Sequence, residues 1–203
     1  MKLATAAALA AMLTAVPAMA QGLSADPSLA PAGSYEVDKA HARVTWEISH
    51  FGVSTYIGWF TKFDVALDFD PNAPEKSTLK ASIDPKSVHT LDPKFDEEIA
   101  SEKFFDAGKF PEITFVSTAV EKTGDTTGKI TGDLTFHGVT KPVTLDVTFH
   151  GGMQSPLKNT YVLGFRGTAT IKRSEFGVTE YIDFGLGDDV TVTIEGEFDH
   201  KGG

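Results

Sequence analysis

The sequence predicts an all-β protein with an antiparallel sheet that closes on itself or on a second sheet, and three observations carry that prediction. Residues 127–150 hold two segments that are apolar at every second position and are joined by a short glycine-containing turn. Ile130, Leu134 and Phe136 share one face with Gly132, and Val143, Leu145, Val147 and Phe149 repeat the pattern, as a half-buried hairpin requires. The same alternation recurs along nearly the whole chain. Almost no helical periodicity remains to cover the resulting apolar faces, so they must cover one another.

In chain order, the first twenty residues stand apart. Lys2, an apolar run from Leu3 to Val16 and the small-residue cleavage pattern Ala18-Met19-Ala20 read as a secretory signal peptide over 1–20, removed before Gln21. That run is too short and too alanine-rich for a membrane span of about 20 residues, so no stable membrane insertion is expected. Residues 21–32, rich in Ala, Pro and Ser, read as a flexible leader to one domain over 33–200.

Strands follow. Arg43–His50 sets Val44, Trp46, Ile48 and His50 on one face, and Phe63, Val65, Leu67 and Phe69 alternate with Asp64, Ala66 and Asp68. Leu79, Ala81 and Ile83 continue the pattern until Pro85 interrupts it, because proline lacks the ladder donor. Asp92-Pro93 predicts a helix start, with Phe95 and Ile99 at helical spacing, running to about Phe104 and ended near Gly108. Then come strands over 113–120, the 127–150 hairpin, strands over 161–171 and 190–198, and an irregular aromatic connection over 173–188. The helix and this connection are the long links in which a gate would lie.

Composition narrows the function classes. The chain has no cysteine, which excludes thiol chemistry and disulfides. Its 18 basic against 28 acidic residues give a charge of −10, and losing Lys2 takes this to −11. Scattered cations on an acidic chain are not the footprint of a nucleic-acid partner. The six histidines form no helical metal pair, and the chain lacks Gly-x-Ser-x-Gly, a phosphate loop and a dinucleotide fingerprint, so no enzyme, metal or cofactor is expected. His137 and His150 fall on outward parity and are expected to face solvent.

Five segments in order carry a family resemblance: VDKAHARVTWEISHFGVSTYIGWF (37–60), SVHT (87–90), SEKFFDAGKFPEITF (101–115), LTFHGVTKPVTL (134–145) and RSEFG (173–177). Together they resemble the YceI-like family of periplasmic, lipocalin-like polyisoprenoid-binding proteins, over about residues 33–199. The resemblance implies an extended antiparallel eight-stranded lipocalin-like barrel, with one or two short helices in its connections, holding one lipid in an apolar interior. It also implies a periplasmic location, and ligands that are long-chain isoprenoids, quinone-like molecules or fatty-acyl chains, carried or stored in the lumen; a homodimer stays open. Where the family often reads Arg-Asp-x-His-Leu this chain has Phe95, Asp96, Glu97, Glu98 and Ile99, so no headgroup or metal role passes to those positions. The family's His-Ser pair is here His41-Ala42.

Fifteen phenylalanines supply the candidate lining. Aromatic abundance alone fits a dry core as well as a ligand chamber; the resemblance favours the chamber. The ligand-binding candidates are Trp46, Ile48, His50, Phe63, Val65, Phe104, Phe105, Phe115, Phe136, Phe165, Arg173, Phe176, Tyr181 and Phe184. His50 suits a barrel rim more than a direct headgroup contact, while Arg173 suits a headgroup contact and a surface ion pair equally. Two alternatives remain: a barrel enzyme on a lipid-like substrate, which needs a charged or histidine pair facing the lumen, and a filled β-sandwich serving as an interaction domain.

Overall fold

Both ends of the chain make the closing seam. β1 (Gly33–His50) and β10 (Leu186–His200) run antiparallel from Tyr35 opposite His200 to His50 opposite Leu186. The structure, a computed structural model, describes residues 22–202, and the predicted signal peptide lies outside them. Between the two seam strands lie β2 (Ser54–Phe60), β3 (Phe63–Phe69), β4 (Thr78–Ile83), β5 (Val88–His89), β6 (Ile113–Lys122), β7 (Thr127–Phe136), β8 (Val139–Gln154) and β9 (Tyr161–Lys172).

These ten segments make eight staves. β2 and β3 both pair with the same side of β1, at Val44 opposite Phe60 and Glu36 opposite Ala66, and are separated by Thr61 and Lys62 alone. β4 and β5 continue one another in the same way, parted by a 3-10 turn over Pro85–Ser87 that Asp84 caps by accepting from the Lys86 amide at 2.9 Å. Pro85 ends β4 as predicted. Ser87 Oγ accepts from the Lys62 amide at 3.0 Å and donates to the Asp84 carbonyl at 2.7 Å, which locks the two kinks together. All pairs are antiparallel and the ring is complete, so the fold is a closed eight-stranded antiparallel barrel.

Alternation decides what points inward. Val44, Trp46, Ile48, Val65, Leu67, Phe115, Phe136, Leu145 and Phe149 are buried, in two clusters, one toward each end of the barrel. Both long connections sit at one end, hereafter the upper end. α1 (Pro93–Ala100) starts as predicted, with Asp92 accepting from the Lys94 amide at 3.0 Å. It stops at Ala100 and not near Phe104: Ser101 Oγ takes the Glu98 carbonyl at 2.6 Å, a local bond that competes with helix extension. Asp96 anchors the helix to β5 by accepting from Thr90 Oγ1 at 2.6 Å and His89 Nδ1 at 3.1 Å.

Two further expectations change. Residues 22–32, read as a flexible leader, lie along the wall: Ser24 exchanges two backbone bonds with Gly152, Ala30 is buried, and the Pro31 carbonyl accepts from Tyr35 Oη at 2.6 Å. His137, expected in solvent, is half-buried. Its backbone turns into the left-handed region at the β7–β8 turn, bringing the ring against Phe110, with Nδ1 3.1 Å from the Phe176 carbonyl. His150 does lie on the outer face, paired with Glu195 at 2.8 Å.

At the lower end a bulge in β1 takes residues 38–41 out of the ladder. Asp38 there accepts from Lys158 Nζ, from His41 Nδ1 at 2.8 Å and from the Ala40 amide at 2.9 Å, and Lys158 also pairs with Asp199 at 2.8 Å. This ties the β8–β9 loop to the seam. The Lys158 bond, then the His41 bond, hold the Asp38 carboxyl well below the ordinary carboxylate range. A depressed folded-state value makes this contribution present above about pH 4 and lost as pH falls toward the folded value. Asp38→Ala is therefore expected to cost about 1–3 kcal/mol at pH 7, and the gap between its urea midpoint and that of the parent should narrow progressively as pH falls below about 4. A gap unchanged in acid would remove this account.

Candidate ligand-binding lumen

The barrel interior is not filled. Beneath the upper end lies a cavity of about 1300 Å³, mouth included, and at the lower end a second of about 1000 Å³. Leu145 and Ile194 line both and form the waist between them. Small inward residues make the room: Ala81 and Ala169 line the upper chamber, Gly167 the lower, and at Gly132 a Cβ would collide with the Phe115 ring.

The upper chamber collects most of the predicted residues. Trp46, Ile48 and His50 reach it from β1, Phe104 and Phe105 from the segment after α1, Phe115 and Phe136 from β6 and β7, and Arg173 from the end of β9. Val65 and Phe165 line the lower chamber. Phe63 packs against both core clusters.

Four predicted aromatics, Phe63 and three from the connection after β9, line neither chamber. Phe176 is buried behind the wall, with its ring 5.7 Å from Phe136, because the 3-10 turn Arg173–Phe176 folds it under the β7–β8 turn. Tyr181 adopts φ of 61°, which turns the chain outward and leaves Tyr181 37% and Phe184 78% exposed. Much of the rest of the wall is aliphatic and lies outside the candidate list: Val190, Val192 and Ile194, inward by strand parity, line the upper chamber with Ile171, and so do Tyr56 and Phe60 from β2.

Apart from His50, Thr114 and Arg173, the upper chamber is lined by apolar and aromatic side chains. Arg173 is 4% exposed, and its guanidinium is spent on the backbone: Nε donates to the Gly187 carbonyl at 2.8 Å, Nη1 to Val178 at 3.2 Å, Nη2 to Glu180 at 2.8 Å and Leu186 at 3.4 Å. Four of its five N–H groups are thus committed. Neither the surface ion pair nor a free headgroup donor describes it; Arg173 holds the 174–187 connection in shape. Burial lowers its pKa, with Asp188 and Glu180 opposing, and a guanidinium stays charged through such a shift. Asp188 accepts from the Ser174 amide and hydroxyl, both at 2.9 Å, closing the same loop.

Trp46 lies over Gly58, the residue directly opposite on β2, where a Cβ would collide with the indole. Among the described residues its Nε1–H is the one buried side-chain donor without a partner. His50 stands at the rim, its ring 4.4 Å from Phe51 and 6.0 Å from Tyr56.

Fold and site together define a class: a closed antiparallel β-barrel with a vacant, apolar lumen and its irregular connections gathered over one end. The family model of the YceI-like domain matches residues 35–198, and the chain belongs to that family. A UPF0312 protein of Pseudomonas syringae pv. tomato is 38% identical over 169 residues, 82% of this chain and 88% of that protein. Among solved structures, Burkholderia cenocepacia BcnA aligns with a TM-score of 0.71 at 29% identity, covering 79% of this chain and 98% of that one. The Campylobacter jejuni YCEI protein aligns at 0.67 and 33%, covering 75% and 90%. A polyisoprenoid binding domain from Saccharophagus degradans shares the fold at 0.61 and 13% identity, covering 84% and 99%.

Arg173→Lys keeps the charge but not the fork, so it is expected to cost about 2–3 kcal/mol. Amide exchange in residues 174–187 should rise with it; exchange unchanged from the parent would show that the carbonyl contacts do not hold the loop.

Proposed function

We propose that the protein binds a single long-chain amphiphile, an isoprenoid, quinone-like or fatty-acyl lipid, in its lumen and stores or carries it through the periplasm after export by a cleaved N-terminal signal. One observation carries this reading: the inside of the barrel is vacant and greasy where a dry core would be plugged. Each buried CH₂ contributes about 0.8 kcal/mol, or about fourfold in affinity, without directional demand. Such a site selects length and girth over chemical identity. The Saccharophagus degradans fold neighbour, a polyisoprenoid binding domain, supports a ligand of this kind.

Length follows from the staves. β9 has 12 residues; at about 3.3 Å per residue and a tilt of about 40°, such a stave spans roughly 30 Å along the axis. That is more than the roughly 23 Å of nine-residue strands. A tail entering from the upper chamber reaches the waist at Leu145 and Ile194 before it meets the lower one. The connections carrying α1 and Arg173 both contribute to the upper wall, and we assign them the role of gate. A disulfide joining them that left lipid exchange unchanged would remove that role.

Native mass spectrometry of protein taken from its own host should show a co-purifying lipid. In a homologous fatty-acyl and prenyl series measured by calorimetry, affinity is expected to rise about fourfold per CH₂ and then level once the tail outgrows the lumen. Ile194→Phe, which narrows the waist, should bring the plateau to shorter tails while leaving short ones unaffected. A linear gain far beyond the lumen length, or no binding of any member, would sink the reading.

A further inference from the structure

A lumen for a water-insoluble ligand needs a source for it, and the upper end, where the irregular connections adjoin the lumen, exposes large apolar side chains. Two chain tips meet there. The β1–β2 turn presents Phe51, 46% exposed, and Val53, 86% exposed; the connection after β9 presents Tyr181 and Phe184. The tips adjoin: a Cβ placed on Gly185 would reach the Phe51 ring at 3.5 Å. From the outermost ring the path inward is continuous: Phe184 to Tyr181 at 6.3 Å between ring centroids, and Tyr181 to Phe104 at 6.1 Å, Phe104 being part of the upper chamber's wall.

Phe51 and Tyr181 both have positive φ, 55° and 61°, a backbone region that bulky side chains avoid. Neither is repaid by burial. A solvated turn would carry glycine or asparagine at such positions, and here the chain carries aromatic rings that it leaves in water. Contiguous exposed apolar surface of this kind marks an interaction site, and its continuity with the lumen identifies the interaction as the one through which ligand passes.

The charges beside the patch choose the partner. Glu180 and Asp183 flank Tyr181 and Phe184, Lys103 is paired with Glu98 at 3.0 Å, and the whole chain is acidic. An anionic surface would be repelled, and a second copy of the chain would bring the same carboxylates face to face. A zwitterionic lipid surface meets neither penalty, and it accepts two apolar tips without requiring shape complementarity.

Resting on the lipid-binding reading, we propose that the upper end docks reversibly on a zwitterionic bilayer through Phe51, Val53, Tyr181 and Phe184, so that ligand moves between membrane and lumen along the Phe184–Tyr181–Phe104 path without crossing water. The test uses the exported chain and phosphatidylcholine vesicles. Flotation reads docking of the empty protein. Stopped-flow transfer of a fluorescent fatty-acyl probe between loaded protein and vesicles reads the route, since transfer by collision speeds up with vesicle concentration and release into water does not. In Phe51→Ser/Phe184→Ser, flotation should be lost and transfer slowed by about tenfold, with probe affinity in vesicle-free solution within about twofold of the parent. Val53→Ser, further out on the tip, gives the same direction with less effect, and thermal melts confirm that both variants fold. Transfer independent of vesicle concentration, variants that transfer at the parent's rate, stronger flotation with anionic vesicles, or self-association through this face would each overturn the proposal. Failure of the parent to bind the probe in vesicle-free solution would instead strike the lipid-binding reading, leaving flotation to decide docking.

Discussion

Pairing of the first long strand with the last is the constraint on which the rest depends. An antiparallel sheet with free edges exposes rows of backbone donors and acceptors; joining β1 to β10 satisfies them along the ring. With backbone polarity settled within the wall, side chains that point inward need supply no hydrogen bonds, and the interior can be uniformly apolar. The kinks at Thr61-Lys62 and Pro85–Ser87 are tolerated because Ser87 bonds across both.

A wall so satisfied must still hold itself open. An eight-stranded ring has an interior that side chains are just able to fill, and here it stays open because alanine or glycine occupies positions 81, 167 and 169, which line the two cavities. The loss of packing is offset at the two ends. Below, Tyr35 is buried against the Pro31 carbonyl and Asp38, Lys158 and Asp199 fasten a loop across the seam. Above, Arg173 gathers the carbonyls of Val178, Glu180, Leu186 and Gly187 and shapes the connection over the upper chamber. A cation buried in the wall of such a cavity invites a headgroup role; the geometry here gives it an architectural one, and leaves His50, Thr114, Tyr56 and Trp46 as the other side chains with polar atoms that line the upper cavity.

The same division explains the upper end. Its connections contribute Phe95, Ile99, Phe104 and Val178 to the chamber while turning Tyr181 and Phe184 outward. The stretch from Val178 to Phe184 thus serves both the lumen and the surface through which it communicates. Backbone in the left-handed region at Tyr181 sets that double orientation.

Strand parity, proline and the Asp92-Pro93 cap were enough to specify an all-β chain, its inward faces and the start of its helix, since each rests on a period or a local bond. Parity also marked Trp46, Ile48, Val65, Phe115 and Phe136, all of which line the lumen. What local rules lack is any measure of space or of distant partners. Whether Phe176, Tyr181 and Phe184 face in or out depends on two left-handed residues and a 3-10 turn; the end of α1 depends on a serine hydroxyl reaching one carbonyl. Arg173 finds acceptors up to fourteen residues away, His137 turns to the Phe176 carbonyl, and residues 22–32 lie on the wall because Gly152 offers them a partner. The alternation of apolar residues is the same for a plugged barrel and an open one. Only the assembled ring, where side-chain volume is set against enclosed volume, decided that this one is hollow.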